Sequence, residues 1–333
     1  MRLKHSALLE AVAAIHGARD WNTLAAQSKP GLLQNMVAAL SPSPKLNVWW
    51  TPQEMMEALD EKSYILGLNE KGDGYVRLSH SDVCTHSLFS GRVGSGCGAL
   101  IESLLAQQVA KGGGLLFFED YSNMQITEAL KGTAAALGRL SDVQIVSIGD
   151  AVDLRQVRAE RRILCVQLQA YPDMARTQGL AILEQLWDSL LPNPETQQSP
   201  DERLPFLVAV PHVQRLLTER WSTAMAQARA GGVALLLHSQ DWRSFSVEGG
   251  DLALAVVANT RLKVFFKEHL EPEDTWQPQA LDRATIVPGW AAIKEQLSGL
   301  PVTTGFATSP NETLKINNVL LDIRGLRKSA LLP

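Results

Sequence analysis

The sequence predicts an α/β fold: a mostly parallel β-sheet flanked by helices, with a small helical module ahead of it. Three observations point there. Between residues 86 and 266, short apolar segments alternate with longer mixed ones, as strands buried on both faces alternate with crossover helices. A glycine-rich turn separates one such apolar segment from the helix that follows it. The composition, 45% apolar and 20% charged with a formal net charge of −4 over 333 residues, is that of a globular protein.

Residues 1–44 read as a helical module and linker. Ser6 to His16 carries apolar residues at helical spacing and Gly17 stops it. Asp20 caps a second helix from Trp21, and a third runs from Leu32 to Leu40 before Ser41-Pro-Ser-Pro44. These amphipathic faces must pack on something, either a docked partner or the rest of the chain. Residues 45–270 form the expected core. Trp49-Trp50 suits packing, and Tyr64 to Leu68 with Tyr75 to Leu78 reads as a hairpin across the glycine-rich turn Glu70 to Gly74. His80 to His86 holds histidines and a cysteine, but no second pair follows at zinc-site spacing, so it reads as a turn and no metal is expected.

The central stretch begins at His86. Ser87-Leu-Phe-Ser90 is a strand, Gly91-Arg-Val-Gly-Ser-Gly96 a loop, and Cys97 to Gln108 a helix. This is the layout of a phosphate-binding P-loop, G-x-x-x-x-G-K-[ST]. Gly91, Gly94 and Gly96 keep the glycine skeleton, with Arg92 and Ser95 between them. The lysine position is Cys97 and the hydroxyl position is Gly98. Backbone N–H groups at a helix start still attract an anion. However, Cys97 brings no cation to a β/γ-phosphate, and Gly98 brings no ligand to Mg²⁺.

Later strands are expected at Leu115 to Phe118, Val143 to Ile148, Ile163 to Leu168, Phe206 to Val210, Gly232 to Leu237 and Arg261 to Phe266. Helices are expected from Met124 to Leu137, Met174 to Leu190 and Arg215 to Ala230, with a polar linker at Pro192 to Pro200. Ligands of such sheets bind beyond the carboxyl ends of the strands, which is where the glycine loop, Pro211-His212 and Gln240 fall. Phe206 to Val210 is the strand that should end in a Mg²⁺-ordering aspartate followed by a glutamate. Pro211 and His212 stand there instead. Four losses at two distant sites argue against hydrolysis in cis, so the site is expected to need no cofactor and to hold ATP only weakly. Rescue by Arg92 as phosphate cation and His212 as base is the competing expectation. Residues 271–333 read as a C-terminal extension with strands near 302–308 and 313–321, ending in the basic cluster Arg324 to Lys328, a solvated end.

Several classes are disfavoured. Three scattered cysteines make no disulfide framework and suit a reducing compartment. No apolar run approaches the roughly 18 residues that span a bilayer. The net charge gives no global field for nucleic acid. The expected location is cytoplasmic, with recruitment to the inner membrane through partners.

The ordered segments from Tyr64 to Phe266 resemble the TraD/TraG-type coupling proteins of conjugation and type IV secretion, within the HerA/FtsK group of P-loop ATPases. His86-Ser-Leu-Phe-Ser-Gly-Arg-Val-Gly-Ser-Gly96 is similar to that family's entry into the P-loop. Lys111 to Asp120, Arg162 to Ala170, Leu204 to His212, Gln227 to Gln240 and Ala258 to Lys267 are similar to its later core segments. The resemblance implies a RecA/HerA-like sheet. It implies that Arg229 matches an arginine offered to a neighbouring subunit's nucleotide, and that Gln240 matches a γ-phosphate sensor. It also implies a conjugation or secretion machine as partner, assembly with a partner ATPase or with itself in a ring, and DNA as cargo. Three functions follow from different classes: a structural or adaptor subunit with a pseudo-ATPase core, a nucleotide sensor without turnover, and an active DNA-translocating ATPase with a non-standard site. Gly17…Trp21-Asn-Thr-Leu24 resembles a signature of small helical modules on other plasmid-borne proteins.

Overall fold

The structure, a computed structural model, describes residues 48–120, 125–147, 149–190, 204–240, 242–267, 296, 300, 304–308, 313–317 and 319–321. The expected module at 1–44, the linker at Pro192 to Pro200 and the cluster at Arg324 to Lys328 lie outside them. The described residues belong to one compact unit spanning Asn47–Pro333.

In chain order the elements are β1 (Val48–Trp50), α1 (Pro52–Ala58), β2 (Ser63–Leu68), β3 (Tyr75–Ser79), α2 (His80–Cys84), β4 (Ser87–Ser90), α3 (Cys97–Ala110), β5 (Leu115–Asp120) and α4 (Gln125–Ala136). There follow β6 (Val143–Val146), α5 (Leu154–Ala159), β7 (Ile163–Leu168), α6 (Pro172–Ser189), β8 (Phe206–Val210), α7 (Trp221–Ala230), β9 (Val233–Ser239), α8 (Trp242–Asn259) and β10 (Leu262–Phe266). The last three are β11 (Thr304–Thr308), β12 (Thr313–Asn317) and β13 (Val319–Leu321).

Eleven of these strands form one sheet in the order β3-β2-β12-β11-β10-β4-β9-β8-β5-β7-β6. From β10 to β6 every pairing is parallel, and the β11, β12, β2 and β3 side is antiparallel. β1 and β13 pair separately. The sheet runs across the boundary expected at residue 270, because β10 pairs with β11 and β12 reaches β2.

The central parallel strands β5, β7, β8 and β9 are apolar along most of their length because each serves two cores. Leu116, Phe118, Leu164, Val166, Val208, Val210, Leu235 and Leu237 pack on the face covered by α5, α6, α7 and α8. Their alternates Leu115, Phe117, Ile163, Cys165, Leu207, Ala209, Ala234 and Leu236 pack on the face covered by α3 and α4. The period of two is the pleat itself.

The expected hairpin forms as β2 and β3. Two expectations are corrected. The helix expected from Arg215 starts at Trp221, because the chain leaves β8 through the left-handed His212 into a 3₁₀ turn, Val213–Leu216. The segment His80 to Cys84 is not a turn but the helix α2, closed by a capping box between Ser79 and Asp82. Three further helices were not foreseen: α1, capped by Thr51 and Glu54, α5, capped by Asp153, and α8.

Candidate functional site

The glycine loop sits at the carboxyl edge of the sheet, between β4 and α3. Both neighbours of β4 hold it. Gly91 N–H donates to the Ser239 carbonyl at the end of β9 (3.2 Å), and Arg92 N–H donates to the Lys267 carbonyl just beyond β10 (3.3 Å). Ser95 N–H returns to the Arg92 carbonyl at 3.0 Å, closing the turn. Gly91 leaves no space for a side chain: a Cβ there would lie 2.7 Å from both Phe266 Cβ and Ser95 Oγ. Gly94 and Gly96 take φ of 80° and 100°, which side-chain-bearing residues rarely adopt.

The loop feeds a helix of 14 residues whose cap, Gly96, offers no side-chain hydrogen bond. Ser95 Oγ accepts from Cys97 N–H at 3.4 Å. Leu100 N–H makes the first bond back, to the Gly96 carbonyl, so Gly98 and Ala99 N–H have no intrahelical acceptor. Cys97 is 1% exposed and packs in the core under α3, so the lysine position carries a buried apolar group. Gly98 is exposed, and a Cβ there would meet nothing within 4 Å. Its missing side chain is therefore not a steric requirement.

The helix behind the loop is bonded on both sides. Gln107 exchanges two hydrogen bonds with the backbone of Ile65, at 2.7 and 2.9 Å. Gln108 donates to the carbonyls of Gly114 (2.9 Å) and Pro205 (2.6 Å) and accepts from the Tyr64 hydroxyl. Buried amides that make all these bonds fix the helix in one position.

Next to β4 lies β9 and next to that β8, so their carboxyl ends bring three expected residues together. Gln240 Nε2 lies 3.5 Å from His212 Nε2. The Gly91 bond to Ser239 places this pair beside the glycine loop. Pro211 and His212 stand where the chain turns off β8, with His212 at φ 49°, ψ 44°.

Sequence reasoning missed His238. Its ring lies 6.2 Å from that of His212. A backbone hydrogen bond to Gly91 engages it, yet Nε2 is shut off from solvent with no partner among the described residues. Burial, with the His212 ring beside it, pushes His238 down to about 4. The strand pattern and the nearby Gln240 place His238 at the edge, but no sequence signal says that one nitrogen lacks a partner.

The carboxylate of Glu119, at the end of β5, is committed elsewhere. It accepts from Ile126 N–H (2.8 Å) and Thr127 N–H (2.9 Å) at the start of α4, while burial pushes its pKa up. Among the described residues no cluster of three or more His, Cys, Asp or Glu is placed to hold a metal ion.

Arg229 is not part of this edge. It ends α7, is exposed, and turns Nη2 toward the Asn259 carbonyl at 3.5 Å. The seven residues of β9 separate it from Gln240, roughly 20 Å of strand. It cannot serve the loop of its own chain.

A family model described as a glyoxalase superfamily protein matches residues 1–43. That match is confined to residues outside those described. No curated protein matches the sequence significantly. Among solved structures, the chain is similar to the bacterial conjugative coupling protein TrwBdeltaN70, in the trigonal form in complex with sulphate. Identity is 12%, the match covers 83% of this chain and 93% of that one, and the TM-score is 0.50. It is also similar to the cytoplasmic domain of the Thermomonospora curvata type VII secretion ATPase EccC (13% identity, 78% and 26% covered, TM-score 0.45). A third is the genome packaging NTPase B204 from Sulfolobus turreted icosahedral virus 2 in complex with AMP (14% identity, 70% and 95% covered, TM-score 0.44). This chain spans about a quarter of the EccC cytoplasmic domain and 40% of the EccC chain holding ATPases 2 and 3. At these identities the likeness is one of fold. The chain has a P-loop ATPase fold. Among the described residues no helix is long and apolar enough to cross a membrane.

Proposed function

We propose that this chain is a P-loop subunit of a conjugative-transfer or type IV secretion machine that does not hydrolyse nucleotide in its own site and serves as a structural or adaptor subunit. The observation that carries the reading is the chemistry of the edge. The fold keeps the loop, but Cys97 buries the lysine position, Gly98 removes the metal-binding hydroxyl, and β8 ends in Pro211-His212 with no carboxylate. Without those groups the charge of a phosphoryl transfer has nothing to stabilise it. The exposure of Arg229 at the far edge supports its being offered to a neighbouring subunit, either a partner ATPase or a second copy, with DNA as the cargo of the assembly. The reading places the chain on the cytoplasmic side, held at the inner membrane by its partners.

A second reading, that the loop holds a phosphate group without turnover, is favoured by one observation. Gly94 and Gly96 keep the positive-φ turn, and Gly98 N–H and Ala99 N–H, at the helix start, have no acceptor within the helix. Phosphate release by the pure full chain, with Mg²⁺, ATP and DNA, separates these from an active motor. The expected result is no release above background. DNA-stimulated release abolished by Arg92→Ala or His212→Ala would overturn the non-hydrolysing reading.

A further inference from the structure

Among the described residues the edge shows no cluster of three or more His, Cys, Asp or Glu that could hold a divalent metal. Mg²⁺ takes oxygen ligands, and Glu119 is committed to the N–H groups of α4. What the edge holds instead is a pair of imidazoles. His212 faces His238 across 6.2 Å, and His238 Nε2 is buried without a partner while its ring is engaged by the Gly91 backbone. A buried polar atom left unsatisfied is costly, and this one stands beside a second imidazole at the glycine loop. With one ring nitrogen donating to a backbone carbonyl, Nε2 of the neutral ring is a bare acceptor. A negative charge placed beside the loop favours a proton on that nitrogen without having to touch it.

We propose that the imidazoles of His212 and His238 supply the positive charge beside the glycine loop, so that a phosphate group binds there with protons in place of a divalent metal. The proposal rests on the phosphate-holding reading above. Among the residues whose side chains are described, the other charged groups carried on this edge are Arg92 in the loop, Lys267 beyond β10, Arg215 in the turn after β8, and Glu119; Asp120 also ends β5. Burial holds His238 near 4, and the His212 ring beside it adds to this. A phosphate anion reverses the balance, because a charge of opposite sign a few ångströms away favours the imidazolium. Binding thus draws in a proton at His238. Affinity therefore rises as pH falls.

The test is calorimetric titration of inorganic pyrophosphate into the full chain at pH 8, 7 and 6, with EDTA or with Mg²⁺, in buffers of different ionisation enthalpy. Binding is expected to persist undiminished in EDTA, to tighten about tenfold per pH unit, and to take up about one proton. Gly94→Trp, which fills the loop, is expected to abolish it. His238→Gln, which cannot titrate, is expected to remove the proton uptake and the pH slope. Binding that needs Mg²⁺, or that is independent of pH with no proton uptake, overturns the proposal and leaves the phosphate-holding reading standing. No binding under any condition overturns both. The same titration with sulfate, which does not itself titrate over this range, decides the matter from the wild-type chain even if the His238 variant fails to fold.

Discussion

At the amino edge of the sheet His86 uses both ring nitrogens: Nε2 donates to the Met225 carbonyl at 2.8 Å, and Nδ1 accepts from Leu235 N–H at 3.2 Å. At the carboxyl edge His238 leaves Nε2 without a partner among the described residues. Burial pushes both rings down to about 4, so the shift alone does not separate them. The hydrogen-bond count does. His86, in a left-handed conformation at φ 63°, ties α7 and β9 to the start of β4 and is consumed by the fold. His238 is held in place and left chemically open.

The largest expected effect that tests this contrast is on stability. His86→Ala strands two buried backbone groups and opens a cavity, and is expected to cost about 3–5 kcal/mol. His238→Ala loses one backbone bond, to Gly91, where His86→Ala loses two, and is expected to cost less, about 2 kcal/mol. Equal shifts in urea midpoint would break the distinction between a structural and an open histidine.

A second effect sharpens it through pH. His86 takes a proton below about 4 in the folded chain and below about 6.5 when unfolded. Between those values the unfolded state binds the extra proton, so the contribution of His86, complete above pH 6.5, is lost as pH falls toward 4. The loss approaches about 3 kcal/mol. Urea unfolding from pH 7 to pH 4 measures the slope. If His238 takes a proton with phosphate, saturating pyrophosphate flattens the part of the slope due to that residue and leaves the part due to His86.

The smallest effects compare two glycines of the loop. Gly91→Ala forces a Cβ against Phe266 and Ser95 and is expected to cost about 1–3 kcal/mol. Gly98→Ala, into open space on a helix, is expected to stabilise the chain by about 0.5–1 kcal/mol. Thermal unfolding of both checks the sign. A loss at Gly98 as large as that at Gly91 would mean that the loop constrains both positions alike.

The parallel half of the sheet was legible because burial on both faces leaves a nearly continuous apolar signature: β7 and β8 match the expected segments residue for residue. The glycine loop was legible because positive φ and close approach leave few other residues to choose from. Helix α8 was not. Gly249 and Gly250 interrupt it, its first half is polar, and its helical state is fixed by packing on α7 and the turn after β8. Helices α1 and α2 carried readable cap signals, Thr51-x-x-Glu54 and Ser79-x-x-Asp82, but at seven and five residues they show no full period. Of the site, sequence reasoning found His212 and Gln240 by their place after a strand. His238 is invisible at that level because its importance lies in a bond that is not made.

The two amide bonds between Gln107 and Ile65 have a mechanical consequence. Among the described residues the hairpin β2–β3 meets the main sheet at the register pair Leu68 with Asn317, and α3 grips its backbone at Ile65 through both N–H and carbonyl. Gln107 lies about 15 Å along the helix from Cys97. The same helix holds the carbonyls of Gly114 and Pro205 through Gln108. A load on the phosphate loop is therefore shared between the hairpin and the central sheet, and the exposed Tyr75 reports the hairpin's share at a distance.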